Sequence, residues 1–277
     1  MTKNLNTYCK NTWCPGCGDF TILAALKQVL LEINTPLSDI VVVSGVGCHA
    51  KIVDYINTNS FYSLHGRAVP AAEGIKIANP KLKVIVFAGD GDVYGEGLEH
   101  LMFAAKRNID ITLIVHDNRL YSLTTGQVSP TSPKGFVGKS TPRGSIDKPF
   151  NPLEISYAAG STFIARGYTK NLKQLKSLIK KAIMHKGFSH IDVLQICATF
   201  FDTHDYYDKH IYELKNHDPK DKKTAYKKII QWDYNSDVKI ATGLFYKSNE
   251  YNFDKQFEKI NKSSKLKVEE DIKSTLS

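Results

Sequence analysis

Nowhere in these 277 residues does an apolar run approach the ~18 residues that a membrane span requires. The polar start, residues 1–11, carries no apolar stretch followed by a cleavage site, so the chain reads as cytoplasmic with no membrane partner. Cysteine is scarce: five, unevenly placed, are too few for a disulfide framework, which turns attention to metal ligation or redox chemistry. No internal repeat is found. A concentrated basic run is missing too. The lysines behind the formal charge of +9 are spread along the chain and, after Lys209, are interleaved with Asp and Glu. That pattern reads as a solvated surface, compatible with an acidic partner protein, and does not point to nucleic acid.

What is there is enough for a core. A hydrophobic content of 42% in a chain of this length excludes fibrous and disordered classes and allows one sizeable core with a small appended lobe. Ile22, Leu23, Leu26, Val29, Leu30 and Ile33 lie on one helical face, predicting a helix over 20–33 with Asp19 as its cap. A β-branched run over 40–43 ends at Ser44-Gly45-Val46-Gly47-Cys48, so a buried strand feeds a glycine-rich loop. Helices are expected over 65–78, 97–107, 153–159 and 172–185. Strands are expected over 84–88, 111–116, 162–165 and 191–196, with a last one over 238–245. Such alternation implies an α/β fold: a parallel sheet with helices on both faces, binding ligands at the carboxyl ends of its strands. Residues 124–152 are rich in Ser, Thr, Pro and Gly, which suits a lid or a subunit-contact loop.

Two adjacent strand ends carry hard oxygen ligands: Gly89-Asp90-Gly91-Asp92, and Asp117-Asn118. Mg²⁺ takes oxygen donors in near-octahedral geometry and commonly combines one or two carboxylates with substrate phosphates. The glycines let backbone N–H groups approach a diphosphate, and the following helix points its positive end there. Alone, a Gly-Asp-Gly triplet is more often an ordinary surface turn. The second constellation is Cys14-Pro15-Gly16-Cys17-Gly18, together with Cys48 and Cys197 at strand-end loops. Cys-x-x-Cys by itself fits a zinc half-site, a redox pair or chance. Four thiolates would satisfy a tetranuclear iron–sulfur cluster if the loops converge on one sheet edge. Taken singly, Cys48 and Cys197 read as small buried hydrophobes, and Cys9 as incidental.

The strand-end pair resembles the thiamine-diphosphate signature, in which Gly-Asp-Gly is followed some thirty residues later by Asn; Asn118 stands 29 positions after Gly89. Trp13-Cys14-Pro15-Gly16-Cys17-Gly18, Gly45-Val46-Gly47-Cys48, His65-Gly66-Arg67-Ala68-Val69-Pro70 and Gly74-Ile75-Lys76-Ile77-Ala78 extend the likeness. Asn118 with Tyr121-Ser122-Leu123-Thr124-Thr125-Gly126-Gln127 and Ser129-Pro130-Thr131 continues it in order. This series, spanning 13–197, resembles the β subunits of the 2-oxoacid:ferredoxin oxidoreductases.

The resemblance implies a thiamine-diphosphate-binding domain over 1–200 and a small irregular C-terminal extension over 201–277. It implies that Cys14, Cys17, Cys48 and Cys197 bind one [4Fe–4S] cluster, and that Asp90, Asn118 and the main-chain carbonyl of Leu120 bind Mg²⁺. Val46, Gly47, Cys48, His49, His65, Gly91, Asp92, Ser122 and Leu123 would surround the cofactor, which itself carries the chemistry; no catalytic side chain is assigned, His65 being only a candidate. The implied reaction decarboxylates a 2-oxoacid, 2-oxoglutarate favoured over pyruvate or a broad range. The acyl group goes to coenzyme A, and the electrons go singly to ferredoxin. A single set of diphosphate motifs also implies an α subunit that completes the site. His49-Ala50 and Thr125 depart from the family pattern of small hydroxyl residues after the third cysteine and a second glycine before Gly-Gln. Two rival classes are a non-redox thiamine-diphosphate carboligase and a zinc-dependent nucleic-acid module.

Overall fold

The computed structural model describes residues 4–250 together with 253, 254, 256 and 257. Its strands are β1 (Ile40–Ser44), β2 (Asn59–Tyr62), β3 (Lys83–Gly89), β4 (Ile111–Asp117), β5 (Leu120–Tyr121), β6 (Gln127–Val128), β7 (Phe163–Tyr168), β8 (Ser189–Leu194), β9 (Ile211–Glu213) and β10 (Ile240–Lys247). Its helices are α1 (Asp19–Glu32), α2 (Ala68–Ala78), α3 (Leu98–Arg107), α4 (Pro152–Ala158), α5 (Leu172–Met184), α6 (His204–His210) and α7 (Lys222–Ile229). Eight strands form one sheet in the order β2-β1-β3-β4-β8-β7-β10-β9. All neighbours are parallel except β10, which runs antiparallel to β7.

Strand alternation sends successive side chains to opposite faces. Val42, Ile85, Ile114 and Ile191 pack with Ile22, Leu26 and Val29 of α1 and Ile179 and Ile183 of α5. Val41, Val43, Val84, Val86, Leu113 and Val115 turn the other way, onto Ala72 of α2 and Leu101 and Ala104 of α3. Each such fully buried aliphatic side chain stabilises the fold by roughly 1.5–3 kcal/mol, so both helical layers are held firmly. No helix among the described residues is long and apolar enough to cross a membrane.

Two local expectations need correction. Asp19 does not cap α1. Gly18 occupies the N-cap without a side-chain hydrogen bond, and the Asp19 carboxylate is buried against His116, Nδ1 to Oδ1 2.6 Å. The helix expected over 65–78 begins three residues later, because His65-Gly66-Arg67 forms a turn with Gly66 at φ +71°. The exposed edge strand β2 carried no apolar alternation to announce it. Beyond residue 200 the chain is not uniformly irregular. α7 covers β10 through Ala225, Ile229, Ala241 and Phe245, and β10 extends the main sheet. The end of the extension expected over 201–277, residues 258–277, lies outside the described residues.

Candidate functional site

Parallel strands β1, β3, β4 and β8 all end at one rim, and two cavities open there. The first, about 80 Å³, is lined by Val46, Gly47, Cys48 and His49 after β1, His65, Gly89–Asp92 after β3, and Asn118 and Leu120 to Thr124 after β4. Every residue expected to meet the cofactor or Mg²⁺ is among its walls. Gly91 begins a π-helical turn, Gly91–Glu96, with Asp90 at its N-cap. A Cβ on Gly91 would stand 2.5 Å from the Tyr121 ring, whose hydroxyl donates to the Gly91 carbonyl at 3.0 Å. A glycine is therefore needed for the β3 and β4 loops to close on each other.

Asp92 organises the opposite wall. Its Oδ1 accepts from the Gly66 N–H at 2.6 Å and lies 3.4 Å from His65 Nδ1, while Oδ2 lies 3.1 Å from His49 Nε2. Any side chain at Gly45 would collide with it, since a Cβ there would sit 1.8 Å from Asp92 Oδ2. His65 also lies 3.3 Å from Glu96 and stacks on Tyr121, ring centroids 5.8 Å apart. These contacts hold Asp92 against the loops after β1 and β2.

Asp90 and Asn118 both line this cavity. Asn118 Oδ1 accepts from the Leu120 N–H at 3.0 Å, which leaves that oxygen a second lone pair, and its Nδ2 donates to Ser122 Oγ at 2.8 Å. Thr131 Oγ1 is 3.0 Å from Asp90 Oδ2 and 2.8 Å from Asp117 Oδ1, one hydroxyl proton facing two carboxylates. Burial pushes the Asp90 carboxyl up to about 6. It pushes the Asp117 carboxyl up as well, with Asp192 and Asp90 adding to the effect. Three buried carboxylates, Asp90, Asp117 and Asp192, thus face two buried guanidiniums, Arg119 and Arg166, and Asp117 Oδ2 has no hydrogen-bond partner among the described residues. A divalent cation suits a floor with that excess of negative charge, and would reverse the upward shift of the carboxyls.

The second cavity, about 190 Å³, is lined by Cys14, Cys17, Cys48 and Cys197 with Thr12, Trp13, Lys51, Gln195 and Phe200. Two hydrogen bonds bring its loops together. Trp13 Nε1 donates to the Cys48 carbonyl at 2.7 Å, and Gly18 N–H donates to the Ile196 carbonyl at 3.2 Å. Gln195 Nε2 donates to Cys17 Sγ at 3.3 Å. Burial, with the Asp19 carboxylate next in effect, pushes the Cys17 thiol far up and the Cys48 thiol up to about 11. Among the described residues no three or more His, Cys, Asp or Glu stand together as a ready site for a single metal ion. The four cysteines instead line one shared cavity, which suits a polynuclear group. Cys9 is exposed and lines neither cavity.

Cys48, Asn118, Ser122 and Leu123 belong to both cavities, so the two sites share a wall. Sequence reasoning missed the supports behind that wall: the Asp19–His116 pair, Thr131, and the Arg119, Arg166, Asp192 and Tyr234 group. Only Thr131 had a signal, as part of the Ser-Pro-Thr stretch.

Fold and site define a thiamine-diphosphate-binding α/β domain, and residues 45–193 match the family described as thiamine pyrophosphate enzyme, C-terminal TPP binding domain. Residues 197–262 match the C-terminal region of the pyruvate ferredoxin oxidoreductase beta subunit. The chain is 49% identical over 208 residues to a 2-oxoacid:ferredoxin oxidoreductase subunit beta of Saccharolobus solfataricus, covering 74% of this chain and 68% of that protein. It is 40% identical over 209 residues to a 2-oxoglutarate synthase subunit KorB of Methanothermobacter thermautotrophicus, covering 73% of each. A solved 2-oxoglutarate:ferredoxin oxidoreductase from Magnetococcus marinus, with 2-oxoglutarate, coenzyme A and succinyl-CoA bound, superposes with a TM-score of 0.89 at 32% identity, over 94% of this chain and 89% of that one. The chain belongs to the β subunits of the 2-oxoacid:ferredoxin oxidoreductases.

Proposed function

We propose that this β subunit serves a CoA-dependent, 2-oxoglutarate-using enzyme, holding Mg²⁺ and thiamine diphosphate in the aspartate cavity and one [4Fe–4S] cluster in the cysteine cavity. The observation that carries the reading is the wall common to both, Cys48, Asn118, Ser122 and Leu123. A group bound on one side of it is within a side chain's width of a group on the other, which suits short electron transfer.

Asp90 supplies a carboxylate, Asn118 an amide oxygen and Leu120 a main-chain carbonyl for Mg²⁺, the hard-oxygen set this ion prefers. Val46, Gly47, Gly91 and Asp92 present backbone to the diphosphate, and His49, His65, Ser122 and Leu123 border the reacting end. When bound, thiamine diphosphate supplies the electron sink for decarboxylation, and the cluster takes up the electrons one at a time for ferredoxin. Cys14, Cys17, Cys48 and Cys197 ligate that cluster as thiolates, which requires a reducing compartment and assigns the enzyme to the cytoplasm.

A cavity of about 80 Å³ falls well below the roughly 300–1,000 Å³ of a site that encloses a whole cofactor-sized ligand. We therefore assign the remainder of the site to an α subunit. Val137 and Ile146, 67% and 84% exposed in the 124–152 loop, offer it apolar contacts. Lys51 lines the cysteine cavity, its ammonium donating to Thr12 Oγ1 at 3.0 Å, close enough to Cys48 to lower its thiol against the effect of burial. The likeness to a 2-oxoglutarate synthase subunit and to a solved 2-oxoglutarate:ferredoxin oxidoreductase supports 2-oxoglutarate over pyruvate. The acyl product passes to coenzyme A.

The test is anaerobic co-purification with the α subunit, iron and thiamine-diphosphate determination, and a 2-oxoacid panel with ferredoxin as acceptor. Iron-containing enzyme that prefers 2-oxoglutarate supports the reading. Preference for pyruvate would overturn the substrate assignment, and iron-free protein with full carboligase activity would overturn the redox one.

A further inference from the structure

Between the two proposed loop ligands, Asn118 and Leu120, stands a residue that lines neither cavity. Arg119 adopts φ +64°, a left-handed conformation that a side chain with a Cβ rarely takes. Its surroundings hold it there. Its N–H donates to Asp117 Oδ1 at 3.1 Å, its Nε donates to the Thr131 carbonyl at 2.7 Å, and its carbonyl accepts from Ser132 Oγ. Its guanidinium, 3% exposed, lies over the Trp232 ring at 5.4 Å and donates through Nη2 to the carbonyl of Tyr234.

Tyr234 is itself left-handed, at φ +65°. Its ring stacks on Trp232 with centroids 4.2 Å apart, its hydroxyl donates to Asp192 Oδ2 at 2.6 Å, and Arg166 donates to that hydroxyl at 3.1 Å. Two non-glycine residues in a disfavoured backbone state therefore meet head-on, one donating to the other's carbonyl. One belongs to the loop after β4. The other belongs to the stretch between α7 and β10, more than a hundred positions away in sequence. Backbone conformations of this kind persist only where the surrounding contacts over-determine them.

We infer that the C-terminal region works as a latch on the metal loop, with Arg119 as the positioning residue that fixes where the Asn118 amide and the Leu120 carbonyl point. The latch rests on the Mg²⁺ site proposed above, and gives the region after residue 200 a part in cofactor affinity without touching the cofactor. Asn118 and Leu120 are adjacent to Arg119 in the chain, so a rotation of its backbone turns both donors at once. Held by Thr131 and Tyr234, the loop meets Mg²⁺ already shaped. Released, it must be ordered on binding.

The assembled enzyme, stripped of Mg²⁺ and thiamine diphosphate, is titrated calorimetrically with thiamine diphosphate at several fixed Mg²⁺ concentrations, alongside iron content and melting temperature. Arg119→Gly keeps the left-handed backbone but removes the guanidinium. We expect it to weaken thiamine-diphosphate binding by about tenfold or more, as the loss of buried charge-assisted hydrogen bonds implies, and to raise the Mg²⁺ concentration required, with iron content unchanged. Arg119→Lys, whose ammonium can still reach a carbonyl, recovers part of that loss. A purely structural role lowers the melting temperature and leaves both binding curves alone. Binding by Arg119→Gly within twofold of wild type overturns the latch, and should that variant fail to assemble, Arg119→Lys binding as wild type does the same. Failure of the wild-type enzyme to bind thiamine diphosphate in a Mg²⁺-dependent way overturns the underlying site instead.

Discussion

The two cavities at the sheet's rim share a wall but differ in how they are held. Around the aspartate cavity the protein has already placed its polar groups: Asp92 gathers the Gly66 N–H, His49 and His65, and Thr131 ties Asp90 to Asp117. Around the cysteine cavity the loops are joined by a few bonds, chiefly Trp13 to Cys48 and Gly18 to Ile196, and burial disfavours the thiolate at Cys17 and Cys48. A preorganised polar site can exist before its ligand arrives. Buried thiols need a metal to hold them ionised, so their site is completed by what it binds.

The largest expected effect separates the two directly. Cys197→Ser removes one proposed thiolate from the cysteine cavity and should abolish iron content and the visible absorption while the main sheet still folds. Unchanged iron would break the assignment. Asp90→Ala is the counterpart: thiamine-diphosphate affinity should fall by more than about a hundredfold through loss of the carboxylate proposed to hold Mg²⁺, with iron retained. Calorimetry and metal analysis on the same two preparations decide whether the cavities act independently.

A smaller effect sharpens the claim of preorganisation. In Gly91→Ala the new Cβ would stand 2.5 Å from the Tyr121 ring, an overpacking expected to cost about 1–3 kcal/mol. The melting temperature should drop, and thiamine diphosphate should bind more weakly as the β4 loop is pushed aside. A variant that binds as tightly as wild type would mean that the loop tolerates the displacement.

The smallest concerns the support behind the aspartate cavity. His190 is buried with Nε2 2.8 Å from the Tyr94 hydroxyl, which also donates to Asp192, and burial, with Arg166 next in effect, pushes its imidazole down to about 3. The unfolded chain takes up this proton near the ordinary histidine value, whereas the folded chain does not until far lower pH. The unfolded state therefore binds more protons in that window, and stability falls as pH drops from about 6.5 toward the lowered value, by up to ~1.4 kcal/mol per pH unit. His190→Phe should flatten the fall by about that amount. Denaturation midpoints of the two proteins between about pH 6 and pH 4 give the difference in slope.

Much of the chain announced itself. The β-branched runs ending at Ser44, Gly89 and Asp117 are strands because residues buried on both faces leave no room for polar alternation. The glycines and aspartates after them line the expected cavity because parallel strands deliver their carboxyl ends to one rim. Asp19 was misjudged because a carboxylate at a helix start has a ready local explanation, and nothing local signals a histidine 97 positions away.

The sequence by itself determined which chemistry was available: oxygen donors and glycines at two strand ends, and sulfur on three separated loops. Tertiary structure decided the rest. Whether the four cysteines line one cavity depends on the Trp13 and Gly18 hydrogen bonds that join distant loops. How the loops that carry Asp90 and Asn118 are tied together is set by the hydroxyl and carbonyl of Thr131, one facing Asp90 and Asp117 and the other receiving Arg119. The role of Tyr234 follows only from its contact with Arg119, since a buried side chain's function is fixed by the groups that desolvate and oppose it, and those come from parts of the chain that sequence order keeps apart.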